Sequence, residues 1–411
     1  MAAQTPPRPS VGRALLPLGL IFLSVGMSVS IVMPFLALFL TTEVEAGPLQ
    51  VTGLLIAAPL AGVVSSTLIG RISDRGAVRR RIIITAAAAG VIGTSLTSVI
   101  RSYWILLLLT VTATAVANAL FPQTFAYARQ VLQRNSPARA AMGISALRTV
   151  FSIAWVAGPP MAAVILEAGG FRLVYGTAAV FYALSLLVGV VWLRELGPPE
   201  RPRPTGPTGS DAPDASWPVL LFTSIGFILL QTPLTLAVQA LPLYVSRDLG
   251  GEVSDSGLVL GLCAALEIPL MLGFGALSTR VPARVLILAG GACGVAYYAL
   301  ASASHAVGML LAAQIVNATF IAAVTGLGIS YVQDMLPGRP GQATTLFTNA
   351  FPLGAMLAGP LFGLAQHFGF RLAFVLCTGL AAAGLALLVV TRPPARTAAQ
   401  ATRAGDMTSH Q

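Results

Sequence analysis

Charge is the scarcest thing in this sequence. Only 9% of its 411 residues are charged, against about 25% in soluble domains, so the chain cannot cover a water-facing surface and is not a soluble globular protein. Lysine is absent. All 24 basic residues are arginine, held in short stretches between apolar runs, with no basic amphipathic patch interleaved with aromatics. That pattern excludes nucleic-acid binding despite the formal net charge of +10. Cysteine is nearly absent too: Cys263, Cys293 and Cys377 lie in separate apolar segments without metal-ligand spacing, which argues against a disulfide framework or a zinc site. The three histidines, His305, His367 and His410, are scattered over loops and tail. A membrane-embedded enzyme is therefore not expected, nor is any metal or cofactor. No polar stretch is long enough to make the soluble output domain of a sensor.

What is present is hydrophobic sequence, 56% of the chain, in runs long enough to cross a bilayer. A spanning helix needs about 20 apolar residues, because about 30 Å of hydrocarbon is crossed at about 1.5 Å per residue. Charges, glycines and prolines divide the chain into spans at 13–41, 50–71, 81–100, 103–130, 139–166, 171–193, 217–246, 254–279, 284–302, 306–334, 341–366 and 370–391. The expected fold is an all-α membrane protein with twelve transmembrane helices. The run 285–333 holds no Asp, Glu or Arg across 49 residues and must fold back near 302–305. The first apolar run, 14–42, has 29 uncharged residues, longer than the roughly 7–15 residue core of a cleavable signal peptide, and reads as a retained span.

Residues 1–12 are rich in proline and read as a disordered tail, and 392–411 as a second tail. Residues 195–216, ELGPPERPRPTGPTGSDAPDAS, form a linker that cannot span lipid and separates a bundle at 13–194 from one at 217–391. Positive charge accumulates in cytoplasmic loops. With both termini in the cytoplasm, 19 of the 24 arginines fall on that side, Arg101, Arg172, Arg247 and Arg371 fall outside, and Arg148 lies within a span.

The two bundles repeat one another. Arg148 followed by Gly158-Pro159 is echoed by Asn349 followed by Gly359-Pro360. Gly170-Phe171-Arg172-Leu173 recurs as Gly369-Phe370-Arg371-Leu372. Gly70, Asp74, Arg75 and Arg79 recur as Gly275, Thr279, Arg280 and Arg284, all at offsets of about 200 residues.

Glu267 stands out from this background, with eleven uncharged residues before it and twelve after it. An intramembrane carboxylate is expensive and persists mainly where it faces a cavity, a partner or an ion path. A carboxyl that loads and releases a proton there suits a proton-coupled exchanger, because protonation and substrate binding can compete; a locked structural pair is the other reading. Arg148 lies about 13 Å into its helix from Arg139 at the usual rise, and Ser145, Ser152, Trp155 and Pro159 share its face at helical spacing. It suits either a cavity wall or an ion pair with Glu267 or Asp334.

Neutral polar residues recur on helical faces: Gln231, Thr235 and Gln239 in one span, Thr110, Thr114 and Asn118 followed by Gln123 in another, and Gln314 with Asn317 in a third. Amides and hydroxyls beside aromatics such as Trp155, Tyr127 or Tyr244 fit a polyhydroxylated ligand with a flat apolar face, or serve as hydrogen bonds between helices.

The loop from Gly70 through Asp74-Arg75 to Arg79-Arg80-Arg81 resembles the loop 2-3 signature of the major facilitator superfamily, with one extra residue before the final arginines. Ala157-Gly158-Pro159-Pro160 resembles part of that superfamily's antiporter motif, with Ala162-Ala163 in place of the second glycine pair. Longer stretches resemble its bacterial sugar efflux transporter family: Phe125 to Arg129, Arg148 to Pro160, Leu266-Glu267-Ile268-Pro269, Gln333 to Arg339 and Ala343 to Asn349. The resemblance implies two six-helix halves in parallel repeat and proton-driven export of small sugars or glycosides across a bacterial inner membrane, with a proton-coupled multidrug or antibiotic exporter on the same fold as the alternative. On that reading Glu267, Arg148 and Asp334 couple protons. Asn118, Gln123, Trp155, Gln231, Gln239, Asn317 and Asn349 contact the substrate, and Gly70, Asp74, Arg75, Gly158 and Pro159 serve the gates. A monomer in the lipid bilayer is expected.

Overall fold

The computed structural model describes residues 11–76, 78–135, 140–196 and 214–391. No strand occurs among them, which is what lipid demands of an open chain: only a helix satisfies every backbone polar group within its own segment. The first span is α1 (Val11–Val32), a 3-10 turn (Met33–Phe35) and α2 (Leu36–Thr42). It is followed by α3 (Pro48–Arg75) and α4 (Arg79–Val99). A fourth span is built from α5 (Tyr103–Leu109), a π-helical turn (Thr110–Thr114), α6 (Ala115–Ala117) and α7 (Leu120–Asn135). Then come α8 (Ala140–Val191), α9 (Trp217–Asp248), α10 (Val253–Leu277) and α11 (Ala283–Ser302). The chain continues through α12 (Val307–Met335), α13 (Pro340–Phe368) and α14 (Arg371–Val390).

Eleven helical stretches among the described residues are long and apolar enough to cross a membrane, making this a multi-pass membrane protein. One of them, 142–191, is 50 residues long, about 75 Å at about 1.5 Å per residue and too long for one crossing. It turns at Gly169 and Gly170, whose backbones are non-helical; the expectation of twelve spans counts its two arms separately. Where 285–333 had to fold back, α11 ends at Ser302 and α12 begins at Val307.

The duplicated motifs do matching work in the two halves. Gly170 has φ +63° and Gly369 φ +107°, left-handed values that glycine adopts without a Cβ clash; each turns the chain into the last span of its half. The phenylalanines that follow, Phe171 and Phe370, are buried. Arg80 donates to Val190 O at 2.8 Å. Arg284 donates to Leu388 O, Val389 O and Thr391 O at 3.1, 2.8 and 2.7 Å. Both arginines thus satisfy orphan carbonyls at the negative end of their half's last helix, although Arg80 stands one residue beyond Arg79, the position that repeats as Arg284.

The halves meet along two seams, α8 against α10 and α3 against α13, and both seams tighten at the arginine-poor end of the bundle. A Cβ placed on Gly257 would sit 2.6 Å from Pro159 O, and one on Gly261 2.6 Å from Pro160 Cγ and 2.8 Å from Val156 O. In the other seam, a Cβ on Gly359 would approach Ile56 Cγ1 at 3.0 Å, and one on Gly363 would collide with Thr52. Each seam therefore uses a pair of glycines four residues apart to bring helix backbones into contact.

Candidate functional site

Beside these seams lies a cavity of about 210 Å³, lined by both halves. The first half contributes Met33, at the break in the first span, and Trp155 on α8; the rest of the lining comes from the second half. Cys263 and Glu267 line it one turn apart on α10, Gln314 and Asn317 three residues apart on α12, and Tyr297 and Tyr298 on α11. The remaining wall is apolar, from Leu234 and Ala237 to Ile321 and Phe351, a composition typical of small-molecule sites. Further along α10 a cleft of about 760 Å³, lined from Pro269 to Arg280, lies toward the arginine-rich end.

The polar groups of the cavity form a chain. Gln314 Nε2 donates to Leu310 O at 2.9 Å and to the Tyr297 hydroxyl at 3.1 Å. Asn317 Nδ2 donates to Gln314 Oε1 at 3.1 Å and to Cys263 Sγ at 3.3 Å. Asn317 Oδ1 is buried and has no hydrogen-bond partner among the described residues. Glu267 is half-buried and forms no ion pair with a described residue; ion pairs among the described residues include Arg101–Glu43 at 3.0 Å and Arg339–Asp214 at 3.6 Å.

Of the residues singled out in the sequence, Glu267, Trp155, Gln314 and Asn317 come together in this cavity. The others line different parts of the bundle. Arg148 is exposed on α8 with its guanidinium 5.2 Å from the centre of the Phe125 ring, and Asp334 is exposed at the end of α12. Asn118, between α6 and α7, stands beside Gly62 of α3, and Asn349 is exposed on α13. Gln123 and Gln231 are buried, each with an Oε1 that accepts no hydrogen bond from a described residue. The Tyr127 hydroxyl bonds Arg194 O, and that of Tyr244 bonds Ala301 O, both at 2.8 Å.

Gln239 has both ends of its amide engaged across the halves. Pro34 breaks the first span because it lacks an N–H and its ring crowds the preceding turn. Leu36 N–H takes the Met33 carbonyl in a tighter turn, which leaves Ala37 N–H without its helical acceptor. Gln239 Oε1 accepts from Ala37 N at 3.1 Å, and its Nε2 donates to Met33 O at 2.7 Å. The α9 side chain thus mends a break in the partner half.

Among the gating candidates, Gly158 packs so closely on α1 that a Cβ there would collide with Ser30, and Pro159 lies in the α8–α10 seam. Gly70 has open space around it. The side chains of Asp74 and Arg75 lie outside the described ones. Beside them Arg79, buried, donates to Ser73 Oγ at 3.1 Å and to Gln130 Oε1 at 3.0 Å, tying the turn between α3 and α4 to α7. Sequence reasoning missed Cys263, Tyr297 and the paired glycines. The one-turn spacing of Cys263 from Glu267 and the Gly-x-x-x-Gly spacing at 257–261 and 359–363 were the signals available.

The Major Facilitator Superfamily model matches residues 18–233 and again 223–408, once for each half. The chain is 35% identical over 391 residues to a protein of Deinococcus radiodurans, covering 92% of this chain and 98% of that one. It is 33% identical to Sugar efflux transporter A of Dickeya chrysanthemi, with 87% and 91% covered. It is 32% identical to Sugar efflux transporter A of Escherichia coli, with 85% and 89% covered. Among solved structures, a variant of the nucleoside transporter NupG superposes with a TM-score of 0.75 at 13% identity, covering 92% of this chain and 99% of that one. A bacterial homolog of the human lysosomal transporter Spinster, inward-facing and unoccupied, gives 0.70 at 18%, with 93% and 95% covered. With the family model matched in both halves and sugar efflux transporters as its relatives over most of its length, the chain belongs to the Major Facilitator Superfamily, among the bacterial sugar efflux transporters.

Proposed function

We propose that the protein exports small sugars or glycosides across the bacterial inner membrane in exchange for protons, as a monomer with both termini in the cytoplasm, alternating which end of the central cavity is open. The observation that carries this reading is the presence of Glu267, Asn317 and Trp155 around one cavity between the halves. Trp155 offers a flat apolar face for the C–H surface of a sugar ring. Asn317 offers an amide for its hydroxyls. Glu267, one α10 turn from Cys263, exchanges a proton for the sugar: binding of one favours release of the other. Arg148 and Asp334 bias that exchange from the arginine-rich end, which is the cytoplasmic end by the distribution of positive charge.

The seams are packed at the arginine-poor end, which supports a cycle that loads substrate from the cytoplasmic end. Outward release then requires the glycine-lined seams to part and the turn bearing Gly70, Asp74 and Arg75 to close against the second half. The largely apolar wall suits glycosides that carry an apolar aglycone. Cells expressing the chain are expected to accumulate less radiolabelled methyl glucoside or methyl galactoside than control cells. Unchanged sugar accumulation alongside reduced accumulation of lipophilic cations would replace this reading with multidrug export.

A further inference from the structure

The hydrogen-bond chain in the cavity has a fixed direction, and it begins at a group that can act in only one way. Leu310 O is a backbone carbonyl and can only accept. The Gln314 amide that reaches it at 2.9 Å must therefore present Nε2 there, which turns Gln314 Oε1 toward Asn317. Facing an oxygen, Asn317 must present its own Nδ2, and the same nitrogen reaches Cys263 Sγ at 3.3 Å. Asn317 Oδ1 is left buried with no partner among the described residues. A buried unpaired acceptor costs stability until a donor meets it. Both Gln314, 1% exposed, and Tyr297, 3% exposed, are packed too tightly to turn over freely.

We propose that Asn317 is a specificity-determining acceptor in the 210 Å³ cavity, held in that polarity by Gln314, so that the substrate must place a hydroxyl donor against Asn317 Oδ1. This deepens the sugar reading above and rests on it. It makes the site reject analogues in which that hydroxyl is replaced by fluorine, hydrogen or a methoxy group, because none of these can donate. Gln314 is a positioning residue, acting through Asn317.

The test is a binding series on the purified full-length protein in nanodiscs. Methyl glucoside and methyl galactoside are compared with their monodeoxy and monofluoro derivatives, one ring position at a time. At one position both replacements should weaken binding to the unmutated protein by about tenfold or more. In Asn317→Leu that penalty should vanish. In Gln314→Leu the Asn317 amide is free to rotate, so the fluoro derivative should bind nearly as well as its parent while the parent itself still binds. If every monofluoro derivative binds the unmutated protein as tightly as its parent, or if Asn317→Leu keeps the penalty, the proposal is overturned and the sugar reading stands. If neither parent glycoside binds the unmutated protein at all, the sugar reading falls and this proposal with it.

Discussion

The two halves share a scaffold and divide the chemistry. Each has a positive-φ glycine turning into its last span, Gly170 or Gly369, and each has an arginine, Arg80 or Arg284, capping that span's carbonyls. Yet only two of the eighteen residues around the central cavity, Met33 and Trp155, belong to the first half. Its second-half counterpart supplies Cys263, Glu267, Gln314 and Asn317. A tight turn needs glycine and a helix C-terminus favours a cation wherever either occurs, so the turn keeps its position in both halves while the capping arginine shifts by one residue. The cavity lining is not repeated in this way. The first half contributes a flat surface, and the second contributes the polar groups.

Substitutions that treat the halves as equivalent test this division. The largest effect is expected at the seams: Gly261→Leu forces a side chain against Val156 O and Pro160, and Gly363→Leu does the same against Thr52. Overpacking of this kind costs about 1–3 kcal/mol, so export by either variant should fall about tenfold or more. Cysteines introduced at the arginine-poor end should also become more reactive to impermeant thiol reagents in both. Unequal effects would show that one seam seals the bundle alone. Next is Gln239→Leu, which leaves Ala37 N–H unpaired at the first-span break. An unmade buried hydrogen bond costs about 1–3 kcal/mol, and the same labelling assay should report partial opening, smaller than in Gly261→Leu. The smallest effect is at the helix caps. Arg284→Ala loses three carbonyl contacts and Arg80→Ala one, so thermal unfolding should report the larger loss at Arg284, about 1–2 kcal/mol. Equal losses would contradict the geometric count.

Much of this was legible in the chain. Glu267 announced itself by isolation, and the repeats of Gly170 and Gly369 pointed to shared turns whose geometry the structure supplies. The breaks within spans were less legible. Pro34 was present in the sequence, but a proline in an apolar run does not say whether the helix bends, and the mending group, Gln239, lies 202 residues away. The π-helical turn at Thr110–Thr114 was not legible in its own residues; it packs against Gly93 on α4, in another span. Arg148 is the clearest case of a charge whose place depends on packing. Its helical face was readable, but Phe125, over which it sits, belongs to another span.

The central claim is that the Glu267 carboxyl carries the proton exchanged for sugar, and it is tested most directly in proteoliposomes by comparing two modes of the same variant. Glu267→Gln is isosteric and cannot ionise. Its sugar-for-sugar exchange with no gradient should remain within severalfold of the unmutated protein, while an imposed pH gradient should no longer accelerate or reverse net sugar flux. If Glu267→Gln still drives net export in response to that gradient, the proton travels elsewhere and the account is contradicted.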